Sequence, residues 1–215
     1  MTQFENSGNA NIVLRVIEEI HINAAYLSEI DGQTGDGDHG VNMNKGFMLA
    51  KTRISESMSF SDALKILGKT LIIDIGGSMG PIYGTMFGEM SRTMNNHHTI
   101  DAIIFKEALE NAVAGLMDLA GAEVGDKTLI DCIYPATVAF SKAFDQRKSF
   151  NDSLSELSIA SENGKEDTRN MVAKIGRAAR LGERSKGFLD AGATSCNIIL
   201  QTMVMSIKDI LNNEE

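Results

Sequence analysis

The chain has 215 residues, 43% of them apolar and 23% charged, enough to build one substantial core, and its formal charge is −9. That acidity, with no run of Lys and Arg, excludes the basic footprint that nucleic acid or an anionic membrane would require of a partner. Two cysteines, Cys132 and Cys196, exclude a disulfide framework and read as buried thiols; with no leader-like N-terminus and no bilayer-length apolar run, a cytoplasmic location is expected.

Only Pro81 and Pro135 interrupt a composition dominated by Leu, Ile, Ala, Met, Glu and Lys, so long helices are expected. Ile12, Val13, Val16, Ile17, Ile20, Ala24 and Leu27 recur at spacings of three and four and predict a first helix over about 8–30. A glycine-rich acidic loop follows at 31–41, and Met43, Phe47, Ala50 and Ile54 stripe a second helix. Helices are next predicted at about 61–74 and 81–94; Leu71–Ile75 would also suit a short buried strand, but nothing else in the chain offers it a partner. Phe105, Leu109, Val113, Leu116 and Ala120 stripe another helix, and segments at about 128–146, 150–177 and 194–212 complete a set of eight. Thr194 or Ser195 would serve the last as N-cap. Met86, Met90 and Met94 read as deformable core filling. The connections at 31–41, 75–80, 121–127 and 181–193 are all rich in glycine, as loops that bring backbone close to a ligand are. One all-α domain over 1–215 is the expected organisation.

Asp31, Asp36 and Asp38 place three carboxylates within eight residues, an arrangement that repels itself unless cations or solvent relieve it. A solvated acidic turn and a magnesium site both satisfy that condition. Magnesium takes oxygen ligands and combines a few carboxylates with phosphates and water, and the free N–H groups near Gly40 to Asn42 would favour phosphate oxygens. An EF-hand fails, because a loop begun at Asp36 puts Phe47 where a bidentate Glu is needed. Gly35, Gly37 and Gly40 match G-x-G-x-x-G, but after an amphipathic helix where the dinucleotide fingerprint needs a strand. Gly76-Gly-Ser-Met-Gly-Pro81 suits either a phosphate or ribose contact or a plain connection. Gly121-Ala-Glu-Val-Gly-Asp-Lys-Thr128 resembles a phosphate loop only superficially, with an aspartate between glycine and lysine. Arg177, Arg180 and Arg184 suit either a phosphate site or an ion-paired helix end. His21, His97 and His98 lack ligand-spaced neighbours, whereas His39 lies between Asp38 and Gly40.

Taken together, Thr34-Gly-Asp-Gly-Asp-His-Gly-Val-Asn-Met-Asn44, Gly76-Gly-Ser-Met-Gly-Pro-Ile-Tyr-Gly84, Gly125-Asp-Lys-Thr-Leu-Ile-Asp131, Gly176-Arg-Ala-Ala-Arg-Leu-Gly-Glu-Arg-Ser185 and Asp190-Ala-Gly-Ala-Thr-Ser195 resemble the dihydroxyacetone kinase L subunit family. The resemblance implies a closed barrel of eight antiparallel helices with ADP or ATP at one end. It implies that Asp31, Asp36 and Asp38 hold two Mg2+ ions bridging the nucleotide phosphates. It sets His39 and Asn42 beside those phosphates, Ser78 and Met79 on the second loop, and Gly121, Thr128 and Leu129 in the nucleotide pocket. Arg177, Asp190 and Gly192 match the C-terminal binding segment. This chain has Ser78-Met79 where the family usually has Ala-Ser, and Gly187-Phe-Leu-Asp-Ala-Gly192 where the family has Gly-His-x-Asp-Pro-Gly.

No residue stands out as a catalytic base. In the family a separate K subunit holds dihydroxyacetone, and a phosphohistidine-carrying M subunit of a phosphotransferase system rephosphorylates ADP held as a coenzyme; the stand-alone length favours that route. An ATP-dependent subunit for a related ketose and a non-catalytic nucleotide-sensing regulator are the alternatives. A homodimer is a further assembly the sequence leaves open.

Overall fold

The computed structural model describes residues 2–213. They form one mostly helical domain with little sheet. The α-helices among them are α1 (Asn11–Ile22), α2 (Ala24–Thr34), α3 (His39–Lys51), α4 (Phe60–Asp74), α5 (Met79–Met94), α6 (Ala102–Ala120), α7 (Ile130–Asp145), α8 (Phe150–Asp167) and α9 (Ala191–Asn213). Short 3-10 turns lie at Thr168–Asn170 and Ala178–Ser185. An antiparallel pair, β1 (Gln3–Glu5) and β2 (Thr99–Asp101), sets Phe4 opposite Ile100.

The predicted stripes become the core: Val13, Val16, Ile17, Phe47, Leu109, Met86, Met90 and Met94 are all buried, as are both cysteines. Each helix packs on its successor, and α9 packs against α1 as well as α8. The connections α2–α3, α4–α5, α6–α7 and α8–α9 therefore gather at one pole, and those around 52–59, 95–101 and 146–149 at the other. The second pole is closed by the two strands, by Phe4, Phe60, Phe105, Phe140 and Phe150 with ring centroids 5.5–6.5 Å apart, and by Asn6. The Asn6 amide donates to Ser61 Oγ, Met94 O and His97 O.

Four expectations change. The first predicted helix breaks at Asn23, whose side chain donates 2.8 Å back to the Glu19 carbonyl and competes with the helical ladder; Ala24, beyond the break, is only half-buried. α2 then runs on to Thr34, so Asp31 is helical and the connection shrinks to 35–38. The helix predicted over 150–177 ends at Asp167, where the Thr168 hydroxyl turns back to the Lys165 carbonyl, and between there and Asp190 the only helical pieces are the two 3-10 turns. The last helix begins at Ala191 and is capped by Asp190, whose Oδ2 accepts from Ala193 N at 2.7 Å; Thr194 and Ser195 lie inside it. Leu71–Asp74 is helical, as read from the sequence, with Ile75 extended after it. Among the described residues no helix is long and apolar enough to cross a membrane.

Candidate functional site

Asp31, in the last turn of α2, meets Asp36 and Asp38 from the 35–38 connection, and one carboxylate oxygen from each lies within 4.8 Å of the others. Glycine makes this geometry possible. Gly37 has φ +76, and a Cβ on Gly40 would overlap the Ala24 carbonyl oxygen and stand 2.8 Å from Ser28 N, so only glycine lets α3 start this close to α2. Three carboxylate oxygens this close suit a hard divalent cation, and the guanidinium of Arg177 ion-pairs with one of them, Asp36. That pair involves Asp36 alone and leaves the carboxylates of Asp31 and Asp38 to a further cation.

Two of the helices that open at this pole, α3 and α5, differ from three that open at the other. α4, α6 and α8 are capped by Ser59, Asp101 and Ser149 side chains, each accepting from a first-turn N–H. Neither Asp38 at α3 nor Ser78 at α5 caps with its side chain. Apart from His39 N, which donates to Asp31, the first-turn N–H groups of α3 and α5 therefore have no side-chain acceptor, a setting that favours anionic oxygens.

His39 opens α3. Its backbone N donates to Asp31 Oδ2 at 3.3 Å and its Nε2 lies 2.8 Å from Ser195 Oγ. Ser195 Oγ is in turn 2.6 Å from Tyr83 Oη, which also donates to the Gly192 carbonyl at 3.0 Å. This chain ties the acidic connection to α5 and to the start of α9. Burial lowers the His39 pKa against the pull of Asp31, so its ring stays neutral, and burial raises that of Tyr83, keeping the phenol protonated.

Asp190 and Gly192 are brought against the start of α7: a Cβ on Gly192 would lie 3.5 Å from Leu129 N. Thr128 N donates to Asp131 Oδ2 at 2.8 Å, and Gly125 N to Asp131 Oδ1 at 2.5 Å, so one carboxylate shapes the 125–128 turn. Burial lifts the Asp190 carboxyl to about 6, against the lowering effects of Ala193 N–H and Lys127. Asn42 sits in the first turn of α3; Ser78 is exposed at the start of α5 with Met79 half-buried beside it; Gly121, in the left-handed conformation, ends α6 with open space around it. Of these four, Asn42 alone bonds to the cluster, its backbone N donating to the Asp38 carbonyl at 2.9 Å.

Sequence reasoning gave no role to Tyr83, Asp131 or Lys127, although all three lie inside quoted motifs. Their signal was their place in those motifs; their partners are distant in the chain, Ser195 being 112 residues from Tyr83.

Residues 33–205 match the family model described as the DAK2 domain. The chain is 32% identical over 186 residues to the ADP-binding subunit DhaL of the PEP-dependent dihydroxyacetone kinase of Escherichia coli, covering 86% of this chain and 89% of that one. It is 33% identical over 189 residues to the ADP-binding subunit DhaL of the PTS-dependent dihydroxyacetone kinase of Lactococcus lactis, covering 87% and 90%. Its fold is similar to that in the crystal structure of the dihydroxyacetone kinase from C. freundii in complex with AMP-PNP and Mg2+, with a TM-score of 0.69 and 23% identity over 96% of this chain and 35% of that one. The chain thus spans about a third of that kinase.

Proposed function

The chain belongs to the DAK2 domain family, and from that membership we propose that it is the nucleotide-binding subunit of a dihydroxyacetone-type kinase, a phosphotransferase with an alcohol acceptor. The whole of 1–215 would form one L-type domain, and the packing of α9 on α1 supports reading its helices as a closed barrel, with α1 and α2 counting as one broken stave. The observation that carries the proposal is the triad of carboxylates within 4.8 Å, at the pole where α5 begins without a capping side chain.

In this reading Asp31, Asp36 and Asp38 hold two Mg2+ ions, which when bound neutralise the charge on the phosphate oxygens. The chain's own residues bind and orient. His39, Asn42 and the first turn of α5 at Ser78 and Met79 line the phosphates; Gly121, Thr128, Leu129 and Gly192 line the nucleoside; Arg177 and Asp190 close the pocket. Neutral His39, bonded to Ser195, fixes the start of α3 and is not asked to take a proton. In this reading the acceptor belongs on a separate ketose-binding K subunit, and the relatives' description as ADP-binding subunits of PEP- and PTS-dependent kinases supports an M subunit as phosphate donor.

The test is the nucleotide released by acid from freshly purified protein, wild type against Asp36→Ala with magnesium present. Near-stoichiometric ADP in the wild type and its loss in the variant are expected. No nucleotide in either, and no calorimetric binding of added ADP or ATP, would overturn the proposal.

A further inference from the structure

Lys127 occupies the turn where a phosphate-binding lysine would be sought, yet it points inward. The residue is 2% exposed, and its ammonium donates to three backbone carbonyls, those of Met171 at 3.3 Å, Ser185 at 2.5 Å and Phe188 at 2.8 Å. An ammonium has three protons, and each finds one acceptor here. All three carbonyls belong to the segment 168–190, and they come from both its ends. That segment has few apolar anchors, Ala173 and Leu189 being its buried hydrophobics. Its remaining order is polar: Ala173 N donates to Ser185 Oγ, Gly187 N to Arg169 O, and Asp190 N to Thr168 Oγ1. Lys174 reaches back to Asp126, the neighbour of Lys127. Lys127 itself sits in the left-handed region, φ 62, a conformation that a lysine keeps only when its surroundings impose it. The segment so gathered is the one that sets Arg177 on Asp36.

We propose that Lys127 is a positioning residue, a built-in cation around which segment 168–190 is wound so that Arg177 stands over the acidic cluster. Removing the ammonium leaves three inward carbonyls without a donor, which frees the segment while the helical core keeps its packing. The expected effect on nucleotide affinity rests on the function proposed above; the effect on the segment's protection does not.

The experiment compares wild type, Lys127→Met and Lys127→Ala for trypsin cleavage after Arg177, Arg180 and Arg184, for far-ultraviolet circular dichroism and for Mg-ADP affinity. Both variants are expected to keep wild-type helix content, to be cut at least about tenfold faster in 168–190 and to bind Mg-ADP about tenfold more weakly, as the loss of a charged hydrogen-bond hub implies. n-Propylammonium, which replaces the missing atoms of Lys127→Ala, is expected to restore protection, and 1-propanol is not. Wild-type cleavage rates in both variants, a defect indifferent to propylammonium, or loss of all helix in both would overturn the proposal. Faster, rescuable cleavage in a protein whose wild type binds no nucleotide would uphold the positioning role and instead sink the kinase reading.

Discussion

Asp190 serves as the cap of α9 and as an enclosed carboxyl facing Lys127, Asp131 and Asp31, and the two roles favour different charge states. The cap favours the anion, while enclosure wins and lifts the group from 3.8 to about 6. Between those values the folded chain holds a proton that the unfolded chain has released. The resulting stability is complete below the unfolded value and is lost as pH rises through about 6. Asp190→Asn is expected to flatten the dependence of the urea midpoint on pH between about 4 and 7; an unchanged slope would assign it to other groups. The acidic cluster was legible in the sequence because its three members are close neighbours in the chain. The Asp190 cap was not, because Thr194 and Ser195 look like better caps until the backbone shows where helical geometry begins. Tyr83 was hidden for a different reason: a buried tyrosine in a helical stripe looks the same whether its hydroxyl is bonded to Ser195 or to nothing.

Helices were legible wherever one face stays apolar for several turns, as in α4 to α7. They were misjudged where a polar side chain competes for the backbone, at Asn23 and Thr168, since the apolar pattern continues past both. The three-residue strands β1 and β2 are too short to carry a period. Between elements, the decisive contacts are glycines. Gly40→Ala would drive a methyl group into the Ala24 carbonyl and push α3 from α2; it is expected to cost about 1–3 kcal/mol, in the range of overpacked cores, and to weaken magnesium binding with it. Gly88→Ala in α5, where a Cβ meets nothing within 4 Å, is the matched control and is expected to stabilise by about 0.4–1 kcal/mol. Denaturant midpoints with calorimetric magnesium titrations check both; equal effects would remove the steric account of Gly40.

At the scale of the whole molecule, the number of stripes and their short connections pointed to alternating helices, but no local signal says that the last helix meets the first. That contact joins residues at opposite ends of the chain. Its effect is that every site residue named above is carried on connections or helix ends at one pole, while the strands, Asn6 and the phenylalanine cluster occupy the other. β1 packs on α9, and Asn151 bonds Asn212, so the outgoing end of α9 also lies at the pole without the site. The order of helices around the molecule is therefore separable from their order along the chain. A circular permutant that joins the ends by a short linker and is cut between Arg147 and Lys148 should fold with the site assembled, its Mg-ADP affinity by calorimetry within a few-fold of the parent. One cut between Gly76 and Gly77 should lose that affinity even if it folds. The arrangement works like a lathe chuck: one end is clamped shut and the other carries the tooling, so the clamp can be rebuilt without resetting the tool.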